Sequence, residues 1–185
     1  MRNAVVVSAV RTAVARARKG SFINTRVDDL GAIVVKEAVA RVKGLDPAEI
    51  EDVIVGCAMP EAEQGLNVAR IASLRAGVPI TASAVTVNRF CSSGLQAIAY
   101  GAERIITGAA HTIVAGGTES MSQAPYMLPQ ARWGLRMGHG QLYDSILGEG
   151  LSCAIEGCHM GMTAEEVSRR FGISRAEQDA FAAES

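Results

Sequence analysis

Short β-branched or apolar runs alternate with helical patterns over the first two thirds of the chain, and that alternation leaves few folds open. Residues 4–9 read as a strand, 29–43 as a helix, 53–57 as a strand and 67–76 as a helix. A third strand covers 84–87, a small-residue helix follows Cys91 and stops at Gly108, and a fourth strand covers 112–115. Strands separated by helices predict an α/β fold with a mainly parallel sheet. The punctuation agrees: Gly44 and Gly77 sit just past two of the helices, and Asp46-Pro47-Ala48-Glu49 carries a cap, a proline at the first helical position and a glutamate at the third.

From Glu119 the strand rhythm ends. Residues 119–162 hold methionines, glycines, Trp133 and loop-forming sequence, and read as an excursion off the sheet. Thr163-Ala164-Glu165-Glu166 and Ser174-Arg175-Ala176-Glu177 each spell a capping box for a helix. The second helix is still in helical composition at Ser185, with no Gly, Asn or Pro to end it, which suggests a piece of a longer protein.

The 185 residues, 49% hydrophobic and 20% charged, can bury a real core. A formal net charge of −1 from 18 basic and 19 acidic residues, without long runs of one sign, gives no pull toward nucleic acid or an anionic membrane, so neither is expected as a partner. The apolar stretch 4–10 is too short for a signal peptide and lacks a small-residue cleavage site before the basic stretch 11–19, so a cytoplasmic protein is expected. Four cysteines are sparse for so apolar a chain and are expected as free thiols.

Cys91 has the chemistry of greatest interest. It stands where a β-like run turns into a helix, so unpaired N–H groups and the positive end of the helix dipole favour the reactive thiolate, although free cysteine also often only fills a core. Ser92, Ser93, Gly94, Ala97, Ala99, Gly101 and Ala102 make the following helix small and apolar on more than one side, which predicts burial between two layers. Cys57 ends a strand and reads as core. Cys153, Cys158 and His159 lack a second ligand pair, so no metal is expected. Gly116-Gly117-Thr118-Glu119 is a glycine turn without a dinucleotide or phosphate-loop pattern. A cysteine nucleophile wants a base, and His111, His139 and His159 are the candidates; none is assignable from sequence.

The stretch Val87-Asn88-Arg89-Phe90-Cys91-Ser92-Ser93-Gly94-Leu95-Gln96-Ala97, with Gly116-Gly117-Thr118-Glu119-Ser120-Met121-Ser122, resembles the thiolase family. Arg11-Thr12, Asp29-Leu30, His159-Met160-Gly161 and Glu177-Gln178-Asp179 fall where thiolases have similar residues, so the resemblance spans the chain. It implies a layered αβαβα fold of two similar halves with a loop domain inserted in the first. Residues 1–118 would be the sheet and helices of the N-terminal half, and 119–185 the start of the loop domain. It implies acyl transfer: a cysteine, matched by Cys91, attacks the 3-keto carbon of a 3-ketoacyl-CoA, acetyl-CoA leaves, and a second CoA takes the acyl group. Coenzyme A is then a substrate, and no separate cofactor is expected.

His159 and Met160 match loop-domain residues beside the CoA arm, and Leu151 matches an apolar residue that covers it. The family's catalytic histidine in Gly-His-Pro and second cysteine in Cys-x-Gly have no counterpart here. The chain therefore resembles a first half, expected to be inactive alone and to need the missing C-terminal half; the assembled enzyme would be a homodimer or homotetramer. Lys19-Gly20-Ser21-Phe22 and Asn88-Arg89-Phe90 resemble degradative thiolases, whereas His159-Met160 and the phrase at 132–138 are similar to acetoacetyl-CoA enzymes. The reading leans to a 3-ketoacyl-CoA thiolase, with a biosynthetic acetoacetyl-CoA thiolase, a ketoacyl synthase or a non-catalytic CoA-binding subunit as alternatives.

Overall fold

The computed structural model describes residues 2–185. They form two compact units that divide between Tyr126 and Met127.

The first unit is built on a three-stranded parallel sheet. β1 (Asp52–Gly56) lies between β2 (Ser83–Val87) and β3 (Ile113–Gly117). All five residues of β1 are buried, as a central strand covered on both faces requires. Helices α1 (Val27–Ala40) and α2 (Val68–Arg75) pack on each other and on the sheet. Val53 and Val55 join Val35 of α1 and Ala69 of α2 in the main core, with Ile50, Val78 and Ala82. A smaller cluster of Val27, Val68 and Cys57 closes the same side at the C-terminal end of β1.

Alternation along the strand turns Gly56 toward α3 (Ser93–Ile106). A side chain there would fall 2.3 Å from the Ser93 backbone. Gly94 and Gly101 of α3 sit directly over Gly117 and over Ile113 with Ala115. The small residues of this helix thus serve a close approach to the sheet on one side. Its buried residues are Ser93, Ala97 and Gly101, whereas Leu95 is 71% and Ile98 48% exposed. Among the described residues no second layer lies over the outer face of α3, the face that the resemblance leaves to the other half of a thiolase.

The strand expected at residues 4–9 is not formed. Val5, Val6 and Val7 are exposed, and no backbone hydrogen bond joins them to the sheet. Thr112 and Thr118 direct their backbone bonds to β1, so by alternation Ile113, Ala115 and Gly117 turn theirs to the other, unpaired edge. Segment 4–8 lines a cleft with that edge and with Ile98, Gly101 and Ile105 of α3, and pairs with neither. β-branched residues favour extended backbone, but a strand needs a partner for its ladder, and this run has none.

The second unit begins at Met127, the second residue of β4 (Tyr126–Met127), which forms a short ribbon with β5 (Tyr143–Asp144). A π-helical turn over Ile146–Leu151 leads to a loop, then to α4 (Met160–Phe171) and α5 (Arg175–Glu184). The capping box at α5 is complete: Ser174 Oγ accepts from the Glu177 amide, and the Glu177 side chain accepts from the Ser174 amide. At α4 the expected box on Thr163 is replaced by a cap four residues earlier, at His159. His159 Nδ1 accepts from the Gly161 amide at 2.9 Å, and Thr163 Oγ instead donates to the Met160 carbonyl inside the first turn. The Asp46 motif forms a single 3₁₀ turn, Pro47–Glu49, with Asp46 accepting from the Ala48 amide.

Candidate active site at the C-terminal ends of the strands

Parallel strands put their C-terminal ends on one side of a sheet, where an α/β fold offers loops for chemistry. Cys57 follows β1, Asn88 to Cys91 follow β2, and Thr118 with Glu119 follow β3. Cys91 is exposed, in a 3₁₀ turn over Phe90–Ser92 that runs directly into α3. Phe90 stands at φ 47°, a left-handed conformation that costs a non-glycine residue about 1 kcal/mol or more. Side-chain hydrogen bonds on both sides of Phe90 hold the turn in that conformation. Asn88 Oδ1 accepts from the Phe90 amide at 2.9 Å, an Asx turn, and Ser93 Oγ accepts from the Arg89 amide at 2.8 Å while donating to the Phe90 carbonyl at 2.6 Å. Ser92 Oγ donates to the Arg89 carbonyl. The two serines that follow the cysteine therefore tie the turn, a role beyond the neighbouring hydroxyls and small helix residues that the sequence shows.

Cys57 has a different environment although it stands one strand away. It is 1% exposed, and its thiol points at Glu119 Oε1 at 3.5 Å. Burial first, and the nearby Glu119 carboxylate second, push this thiol up to about 12. At pH 8 only about one molecule in 10⁴ then carries the thiolate at this position. Alkylation with iodoacetamide followed by peptide mapping should find Cys91 modified fastest and Cys57 slowest of the four thiols; equal rates at the two positions would overturn the assignment of Cys91 as the reactive group.

Of the histidines, His111 lies just before β3, at the opposite end of the parallel sheet from the residue that follows β2. It rests against the Arg2 guanidinium, and its amide donates to Glu51. It cannot serve Cys91 as a base. His139 and His159 are exposed in the second unit.

Within that unit an isolated antiparallel bridge joins Ser152 to His159, with Cys153 N–H donating to the Cys158 carbonyl at 2.8 Å; Leu151, the last residue of the π-helical turn, and Met160, the first of α4, flank it in sequence. Leu151 is half-buried, Met160 exposed. The α4 cap uses His159 Nδ1 as an acceptor, which leaves Nε2 as the protonated nitrogen and a free donor. Among the described residues no three His, Cys, Asp or Glu side chains gather as a metal site. No helix among them is long and apolar enough to cross a membrane.

The family model for "Thiolase, N-terminal domain" matches residues 4–185. A 3-ketoacyl-CoA thiolase of Bacillus subtilis is 50% identical over all of this chain and 44% of its own length. An acetyl-CoA acetyltransferase of Escherichia coli is 48% identical over all of this chain and 46% of its own. The crystal structure of the Bacillus anthracis acetyl-CoA acetyltransferase superimposes with a TM-score of 0.89 at 39% identity, over 97% of this chain and 45% of that one. The chain thus spans less than half the length of these relatives. With an exposed cysteine on a tied turn at the sheet's C-terminal edge and this match from residue 4 to residue 185, the chain belongs to the thiolase family, of which it carries the N-terminal part.

Proposed function

We propose that this chain contributes Cys91 as the acyl-accepting nucleophile of a thiolase that cleaves 3-ketoacyl-CoA. The observation that carries the reading is the exposed Cys91 thiol in a turn whose geometry is fixed by four side-chain hydrogen bonds, in the stretch that resembles the family's acylated-cysteine motif. The thiolate adds to the 3-keto carbon, the C2–C3 bond breaks, and its electron pair leaves on C2 as the enolate of acetyl-CoA. A general acid then protonates C2. A second CoA, giving its thiol proton to a base, attacks the acyl-cysteine and releases a shortened acyl-CoA with Cys91 regenerated. His111 stands at the far end of the sheet, and the family's Gly-His-Pro histidine has no counterpart in this sequence, so we assign the proton carrier to the part of the relatives that lies beyond the stretch matched by this chain.

Leu151, His159 and Met160 are the proposed CoA contacts. The bridge between Ser152 and His159 supports this, because Leu151 and Met160 are the chain neighbours of its two residues and the His159 ring keeps a free N–H. In the assembled enzyme, His159→Ala should raise KM for the CoA substrate about tenfold and leave kcat within a factor of two or so. A collapse of kcat at unchanged KM would make His159 part of the chemistry instead.

The direction leans to degradation. The relatives carry both names, 3-ketoacyl-CoA thiolase and acetyl-CoA acetyltransferase, so condensation of two acetyl-CoA is the second reading. Mass spectrometry of the assembled enzyme after incubation with a 3-ketoacyl-CoA tests both: an acyl group longer than acetyl on the Cys91 peptide supports degradation, acetyl from acetyl-CoA alone supports condensation, and an unmodified Cys91 with either donor overturns the assignment.

A further inference from the structure

We propose that Asn88 is the positioning residue of the Cys91 turn, the last link of a hydrogen-bonded chain that starts at a buried glutamine and ties the three strand ends together. The proposal rests on the reading of Cys91 as the acyl acceptor. Its links are side-chain bonds between loops that are distant in sequence. Gln64 is fully buried; its Nε2 donates to the Met59 carbonyl at 3.1 Å, and its Oε1 accepts from the Ser120 amide at 2.6 Å. The neighbouring Glu119 accepts from the Ala58 amide through Oε2 at 2.6 Å. The carbonyl of the same Ala58 accepts from Asn88 Nδ2 at 3.1 Å, and Asn88 Oδ1 accepts from the Phe90 amide.

Each part of the Asn88 amide therefore has one task. Its N–H₂ fixes the residue to the loop after β1, and its oxygen satisfies the backbone of the one residue in the turn held at positive φ. The orientation of the amide follows from its partners, because a carbonyl can only accept and an amide N–H can only donate. A left-handed phenylalanine persists only where its surroundings over-determine it. Without the acceptor, Phe90 relaxes toward negative φ, and Cys91, the next residue, loses its fixed place at the start of α3.

The experiment compares the full 185-residue chain with Asn88→Ala and Asn88→Asp by timed carboxamidomethylation with iodoacetamide, mapping all four cysteines. Asn88→Ala should slow Cys91 about tenfold, the scale of a displaced reacting group. Cys153 and Cys158, in the other unit, should keep their rates, and thermal melting should stay near that of the parent chain. Asn88→Asp keeps the acceptor for Phe90 but loses the donor to the Ala58 carbonyl, so it should restore only part of the rate. Glu119→Ala, two links upstream, should slow Cys91 less, and should add nothing to Asn88→Ala because both act through one chain of contacts.

An unchanged Cys91 rate in Asn88→Ala overturns the proposal. So does a common change at Cys91, Cys153 and Cys158 with a lowered melting temperature, which would make Asn88 a general structural residue. An Asp variant no better than the Ala variant overturns the role given to the Phe90 acceptor. The parent chain separates this from the functional reading: a Cys91 no faster than Cys57 there defeats the nucleophile, whereas a fast Cys91 that ignores Asn88 defeats only the positioning role.

Discussion

Assayed alone, the 185-residue chain should give no measurable thiolysis of a 3-ketoacyl-CoA and should run as a self-associated species. Two surfaces lead to that expectation. The outer face of α3 leaves Leu95 and Ile98 in water, and the β3 edge turns the backbone of Ile113, Ala115 and Gly117 outward beside the unpaired valines 5–7. An open apolar face and an unpaired strand edge both favour association. On the catalytic side, the proposed reading assigns the base to the remaining half, and without it Cys91 has no proton carrier for either half-reaction. Co-expression with the remaining half should restore activity and a defined oligomer. Loss of the 3-ketoacyl-CoA enolate absorbance measures the first, and light scattering the second. A monodisperse and fully active monomer of this chain would defeat both the two-half architecture and the assignment of the base to the other half.

In the assembled enzyme, Cys91→Ala should lower kcat by about 10⁴-fold or more, since removing a covalent nucleophile leaves only binding and electrostatic contributions. Cys57→Ala offers the contrast. That thiol is buried, held protonated by burial and by Glu119, and packed against Val27 and Val68, so its loss should cost about 1 kcal/mol or more of stability through the cavity left behind and little of kcat. Steady-state thiolysis and thermal melting of the two variants check the pair. Comparable loss of kcat in both would mean that the acyl acceptor has been misassigned.

The parallel α/β core was legible because its signals are local. Val53, Ile54 and Val55 form a run apolar on both faces, which only a central strand accommodates, and Asn67, Gly77 and Gly108 mark helix ends by side-chain capping or positive φ. Cys91 was legible for the same reason, as a junction between a β-branched run and a helix. The valines at 5–7 were misread because a strand depends on what lies beside it, and the sequence of a segment contains its propensity but not its partner. The capping box at Thr163 was misread because His159, four residues earlier, takes the cap through a ring nitrogen, a role the box pattern does not anticipate.

The amino-acid sequence by itself determined the order of elements, the nucleophile candidate and the family, since each follows from residues adjacent along the chain. Tertiary structure alone decided what surrounds the two strand-end cysteines. Cys57 and Cys91 both follow β-strands in sequence, yet one is sealed against Glu119 from 62 positions away and the other is held open by Asn88, itself tied to Ala58. Desolvation and hydrogen bonding act through distance in space, so the difference between an inert thiol and an accessible one came into existence only when three loops met at the end of one sheet.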